Sequence, residues 1–210
     1  MKQTAKFWDK HAAKYALSPI KDQAAYDYTL ERTRSYLKAQ HRALEIGSGT
    51  GSTALRLAGN VAQYTGTDIS PEMIRIATEK VKAAGVDNLR FRVCSAGQSA
   101  QEAAGVDVVM GFNILHLTED LQGILGSLHR NLAPDGLLIT KTPCLGEPSI
   151  GVMRVALRVL IPVMQFFRKA PFVQTLSFKQ LETMITEAGF KIVETATAPK
   201  MSRYIVARRA

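Results

Sequence analysis

The chain carries only two cysteines among its 210 residues, Cys94 and Cys144. They lie far apart and outside any spaced set of cysteines and histidines. That excludes a disulfide scaffold and a zinc site, implies no metal, and fits a reducing compartment such as the cytoplasm. Long apolar runs are also missing. A membrane span needs roughly 20 such residues, and the longest candidate, Val152 to Phe167, is interrupted by Arg154, Arg158 and Pro162. The first nine residues hold no apolar stretch of the kind a secretory leader requires. Neither internal repeats nor low-complexity tracts occur. Acidic residues are in the minority, 18 against 27 basic, for a net charge of +9. Such a surplus suits nucleic acid, anionic lipid or an anionic substrate, and equally plain solubility.

What remains is ordinary globular composition, 46% hydrophobic and 21% charged, enough for one well-filled core and a single domain. Residues 1–40 read as two helices split at Ser18-Pro19, with Phe7, Trp8, Ala12 and Tyr15 on one face and Tyr26, Leu30, Thr33 and Leu37 on another. From Arg42 strands and helices alternate. Strands are expected at Ala43–Ile46, Gln63–Asp68, Leu89–Val93, Val106–Gly111 and Leu137–Thr142. Helices are expected at Ser52–Ala58, from Ser70-Pro71 to Gly85, and at Glu119–Leu132. A helical apolar region, 150–170, precedes a last helix at Phe178–Ala188 and two closing strands on either side of Pro199. Alternation of this kind predicts an α/β fold, a mainly parallel sheet with helices on both faces. Ligands of such sheets bind at the carboxyl ends of the strands.

The first strand runs straight into Gly47, Gly49 and Gly51. Glycine tolerates positive φ and lets a ligand approach the bare backbone, and the following helix start favours an anion such as a phosphate or carboxylate. A dinucleotide fingerprint would need glycine or alanine where Ser52 stands, and a Walker A loop would need a Gly-Lys-Ser/Thr, so neither applies. The second clue is Asp68, ending the second strand, where a carboxylate can accept both hydroxyls of a ribose.

Leu44-Glu45-Ile46-Gly47-Ser48-Gly49-Thr50-Gly51 resembles motif I of the class I methyltransferases that use S-adenosyl-L-methionine (SAM). Thr67 to Met73 resembles their ribose-binding segment. Phe112 to Leu117 and Leu132 to Leu138 continue the likeness, which extends from about Phe7 to Arg209 and is strongest toward the small-molecule branch containing the quinone-ring methylases. The resemblance implies a seven-stranded Rossmann-like sheet with an antiparallel last strand. It divides the chain into an N-terminal helical cap (1–40), a SAM-binding core (42–142), a helical substrate lid (145–175), and a C-terminal helix and hairpin (176–210). It also implies that Glu45, Gly47, Ser48, Gly49 and Gly51 hold the methionine portion and Asp68 the ribose. Ile69 and Met73 lie in the same segment, with Ile69 against the adenine. Ser95 and Ala96 stand at the adenine edge, where many members carry an acid. Asn113 faces the methionine moiety, and Tyr15 closes over the cofactor.

His116 is the one candidate general base. Its simpler role is packing. Methyl transfer from a sulfonium needs alignment more than acid–base help, so the expected function is methylation of a small, apolar or aromatic molecule. The 150–170 region offers a lid, a core helix, or a peripheral membrane contact, because Arg154, Arg158, Arg168 and Lys169 interrupt its apolar residues. The alternatives are an RNA-modifying or nucleic-acid-binding protein using the basic surface, and a nicotinamide oxidoreductase. Nucleic acid is disfavoured because Asn113 is followed by Ile114-Leu115-His116 rather than a base-flipping Asn-Pro-Pro-Tyr. The missing third glycine disfavours nicotinamide. Oligomeric state leaves no mark on the sequence.

Overall fold

Strict alternation of side chains sets the sheet. In the first strand, β1 (Arg42–Ile46), Leu44 and Ile46 join one buried apolar cluster and Ala43 joins a second on the opposite face. Val109 and Leu138 continue the first cluster, while Val108, Met110 and Ile139 continue the second. These strands are buried on both faces, as parallel strands under helices must be. The computed structural model describes residues 2–167, 170–197 and 201–210. Arg168, Lys169 and Pro199 lie outside that set.

Six further strands complete the sheet: β2 (Gln63–Asp68), β3 (Leu89–Val93), β4 (Val108–Phe112), β5 (Leu137–Pro143), β6 (Phe190–Thr197) and β7 (Ser202–Arg209). Their order is β3-β2-β1-β4-β5-β7-β6. β1 to β5 pair in parallel, and β7 is antiparallel to both β5 and β6. This is the seven-stranded Rossmann-like arrangement expected from the sequence. The chain reverses direction across the sheet between β1 and β4, which opens a crevice at their carboxyl ends.

The helices are α1 (Lys2–Leu17), α2 (Gln23–Arg34), α3 (Ser52–Leu57), α4 (Pro71–Ala84), α5 (Ala96–Gln101), α6 (Leu121–Asn131), α7 (Val152–Phe166) and α8 (Phe178–Glu187). Leu125, Leu128, Leu181 and Ile185 bring α6 and α8 onto one face. Leu30, Ala54 and Leu57 bring α2 and α3 onto the other. α4 has the boundaries its sequence dictates: the Ser70 hydroxyl accepts the Met73 N–H, Pro71 opens the first turn, and Gly85 closes it in the left-handed region.

Three local departures have identifiable causes. β4 begins at Val108 rather than Val106, because the Val106 carbonyl accepts Ala133 N–H and Asp107 bonds Arg42 N–H through its carboxylate. α6 begins at Leu121 because Asp120 is its cap, accepting Gly123 N–H at 2.9 Å. α5 is not foreshadowed by its sequence, since Gly97 and Ser99 are poor helix formers. Burial of Ser99 and Ala100 holds it, with the Ser99 hydroxyl on Thr67 Oγ1. Among the described residues no helix is long and apolar enough to cross a membrane.

Candidate functional site

All three glycines of the turn after β1 adopt positive φ: +68° at Gly47, +53° at Gly49 and +76° at Gly51. Two of them are also enclosed. A Cβ at Gly47 would lie 2.6 Å from Ile114, and one at Gly51 would lie 2.6 Å from Phe91 and 2.9 Å from Ala77. At Gly49 the nearest atom would be Tyr15 Cε1, at 3.6 Å, so the bare backbone there lies under the Tyr15 ring. The Gly49 N–H is already engaged: it donates to Asp68 Oδ2 at 3.0 Å, while Ser70 N–H donates to Asp68 Oδ1 at 2.9 Å. Asp68 therefore ties the glycine turn to the end of β2. The helix start expected to attract an anion is short, six residues, and has no side-chain cap.

A cavity of about 520 Å³ opens at this end of the sheet. Of the residues singled out from sequence, Tyr15, Gly47, Gly49, Asp68, Ile69, Met73, Ser95, Ala96, Asn113 and His116 all line it. Glu45, Ser48 and Gly51 do not. Glu45 is buried behind the wall, where its carboxyl accepts the Tyr64 hydroxyl at 2.9 Å. Ser48 is buried with its hydroxyl unpartnered among the described residues, and Gly51 packs on Phe91. No residue of α7, the helix within the expected 145–175 lid, lines the cavity.

Strand order sorts the wall. Above β1, β2 and β3 stand the glycine turn, Asp68, Ile69 and Ser95. Above β4 and β5 stand Phe112, Asn113, Ile114, Leu117 and Pro143, with Ile124 from α6. Trp8 and Tyr15 reach in from α1. Asn113 is held at φ +58°, a conformation rare for a residue with a Cβ, and its N–H is anchored on Lys141 carbonyl at 2.7 Å. The side-chain amide makes no hydrogen bond to the described residues. Ser95 has a prior commitment: its hydroxyl caps α5, accepting Gln98 N–H at 3.3 Å.

α1 is fastened across the site by Asp9, which accepts the Ser70 hydroxyl at 2.6 Å and the Glu72 N–H at 3.1 Å. Sequence reasoning missed this contact, as it missed Cys94, Thr118, Glu119 and Asp120 in the wall. Phe112, Ile114 and Leu117 belong to the segment at the end of β4 that the strand-end rule points to, while Pro143 and Ile124 carry no signal of their own in sequence.

Burial dominates the electrostatics. It pushes Glu45 up to about 7, opposed by the Tyr64 hydroxyl and aided by the charge of Asp68. It also raises Asp68, against the hydrogen bonds from Ser70, Gly49 and Ile69. His116 is forced down to about 4 by burial alone, and its Nδ1 has no partner among the described residues. Across the neutral range this ring is uncharged. The site thus offers acceptor oxygens and bare backbone over β1 and β2, apolar surface over β4 and β5, and a neutral imidazole. Among the described residues no cluster suits a metal ion.

Residues 37–193 match the family described as a methyltransferase domain. The chain belongs to that family. It is a SAM-dependent methyltransferase of class I. In sequence the methyltransferase is 31% identical over 166 residues to a hybrid PKS-NRPS synthetase, pydA, of an Acremonium species, a match covering 74% of this chain and 4% of that one. It is 30% identical over 99 residues to the uncharacterized methyltransferase YcgJ of Bacillus subtilis, covering 47% of this chain and 39% of that one. The methyltransferase thus spans a few per cent of the synthetase and under half of YcgJ. In structure it resembles magnesium protoporphyrin IX methyltransferase from Synechocystis PCC 6803, solved with bound SAH. The TM-score is 0.70 at 19% identity, covering 99% of this chain and 96% of that one.

Proposed function

We propose that the methyltransferase holds SAM over β1 to β3 and methylates a small, apolar or aromatic acceptor seated over β4 and β5, in the cytoplasm. The observation that carries this reading is the single cavity that joins Asp68 and the open backbone of Gly49 to the wall formed by Trp8, Phe112, Ile114, Leu117, Ile124 and Pro143. The residues fit the cofactor. Asp68 keeps lone pairs for two ribose hydroxyls, Ile69 and Met73 offer apolar surface to the adenine, and the unpaired amide of Asn113 faces the cavity. Glu45 acts from behind the glycine turn, as a negative charge toward a cationic ligand. Ser95 is the weak point at the adenine edge, because its hydroxyl already caps α5.

When bound, SAM supplies a methyl group on a positively charged sulfur. The chain's own residues orient, exclude water and place charge. Trp8 and Tyr15, carried by α1 and fastened through Asp9, cover the site. His116 is too weak a base to take a proton from a reluctant acceptor at neutral pH. Its place is to hydrogen-bond the acceptor in neutral form, leaving the rate to alignment. A thermal-shift comparison tests the cofactor assignment. SAM and SAH should raise the melting temperature while NAD leaves it unchanged. Stabilisation by NAD alone would return the chain to the oxidoreductase reading.

A further inference from the structure

One large surface remains unexplained by methyl transfer. α7 leaves the fold after Cys144 and returns at Leu176, where Gly146 N–H donates to Leu176 carbonyl at 2.9 Å. Ile161 is its only buried residue. Val152, Val155, Val159, Val163 and Phe166 follow one another at helical spacing on the opposite side, with Val159 66% and Phe166 82% exposed. An apolar stripe of that length on a soluble face calls for a partner.

We propose that α7 docks on an anionic lipid surface. Its length, fifteen residues, gives about 22 Å of helix, too short to cross a hydrocarbon core of roughly 30 Å and suited to lying in the interface. Charge selects the partner. Between Glu147 and Glu182 the sequence has no carboxylate, while Arg154, Arg158, Arg168, Lys169 and Lys179 supply cations. Of these, Arg158 is exposed beside the apolar stripe and Arg154 is half-buried. A second copy of this +9 chain would bring like charge against the same face. An anionic bilayer satisfies both the apolar stripe and the cation of Arg158 beside it, in a stretch of sequence without carboxylates. The far end of the excursion reaches the cavity wall, since Gln174 donates from its backbone to His116 carbonyl and from its side chain to Thr118 carbonyl, both at 2.7 Å. The docking proposal does not depend on the acceptor assignment.

Vesicle sedimentation of the whole chain tests it, using phosphatidylcholine alone and with phosphatidylglycerol at roughly one part in three. The chain should sediment with the anionic vesicles and stay largely in solution with the neutral ones. Arg154→Gln with Arg158→Gln should weaken binding on the order of twentyfold at low salt. Val159→Glu with Val163→Glu should abolish sedimentation while leaving SAH affinity unchanged, which reports that the variant is folded. Failure of the wild-type chain to bind anionic vesicles overturns the proposal, as does equal binding to both vesicle types. So does equal binding by the Val→Glu variant, or light scattering that shows a wild-type dimer dissolved by those substitutions.

Discussion

Replacing Glu45 with glutamine separates the charge of that buried carboxyl from its shape. The amide oxygen can still accept the Tyr64 hydroxyl, so packing is preserved. What disappears is titration. Burial raises Glu45 from 4.5 to about 7, so between those values the folded chain retains a proton that the unfolded chain has released. Stability from this group is fully present below the unfolded value and is lost as pH rises through about 7. At about 1.4 kcal/mol per pH unit, the loss by pH 8 is about 3 kcal/mol. Urea denaturation of the ligand-free protein should therefore show Glu45→Gln within about 1 kcal/mol of wild type at pH 5 and up to about 3 kcal/mol more stable at pH 8. Part of the wild-type pH slope will survive in the variant, because Asp68 is raised in the same direction. The same substitution removes a negative charge behind the site of a cationic cofactor, so affinity for SAM at pH 8 should fall even as the apo protein gains stability. A variant less stable than wild type by the same margin at both pH values would mean instead that Glu45 is ionised and favourably paired in the fold.

Gly51→Ala should cost at least about 2 kcal/mol in urea denaturation, since a Cβ there meets both Phe91 and Ala77 and must also adopt positive φ. Asp9→Ala should remove about 1–2 kcal/mol of stability by freeing the Ser70 hydroxyl and the Glu72 N–H. It should also speed SAH dissociation in stopped-flow measurements, because α1 loses its fastening. His116→Ala should lower turnover without changing the shape of the pH–rate profile between pH 6 and 9, since the wild-type ring titrates near 4. A limb near pH 6.5 that vanishes in the variant would contradict the neutral assignment.

The parts of this fold that were legible in sequence are those set by local chemistry. Ser70-Pro71 and Gly85 bounded α4 because a cap, a fixed φ and a left-handed residue each act within a turn. Asp68 and the alternating glycines were legible because a strand-end acid and residues free to take positive φ are conspicuous against an apolar strand. Long-range contacts were not. Asp9 reaches Ser70 across the chain, and nothing in the sequence around Asp9 specifies that partner. Ser95 looked free for a ligand because α5 was hidden by Gly97 and Ser99. The apolar residues of α7 left lid, core helix and membrane contact open, because the same side chains suit all three and only tertiary placement separates them. Glu45 entered the expected site through the resemblance, and its position behind the glycine turn follows from the sheet, where its carboxyl meets Tyr64.

The central claim is that this cavity is the SAM site and that Asp68 receives its ribose. Titration calorimetry of SAH against wild type and Asp68→Ala tests it most directly. Binding to the wild-type chain should be measurable, with a loss of at least about 2 kcal/mol, roughly thirtyfold in affinity, when the carboxylate is removed. Equal affinity in the two proteins would contradict it.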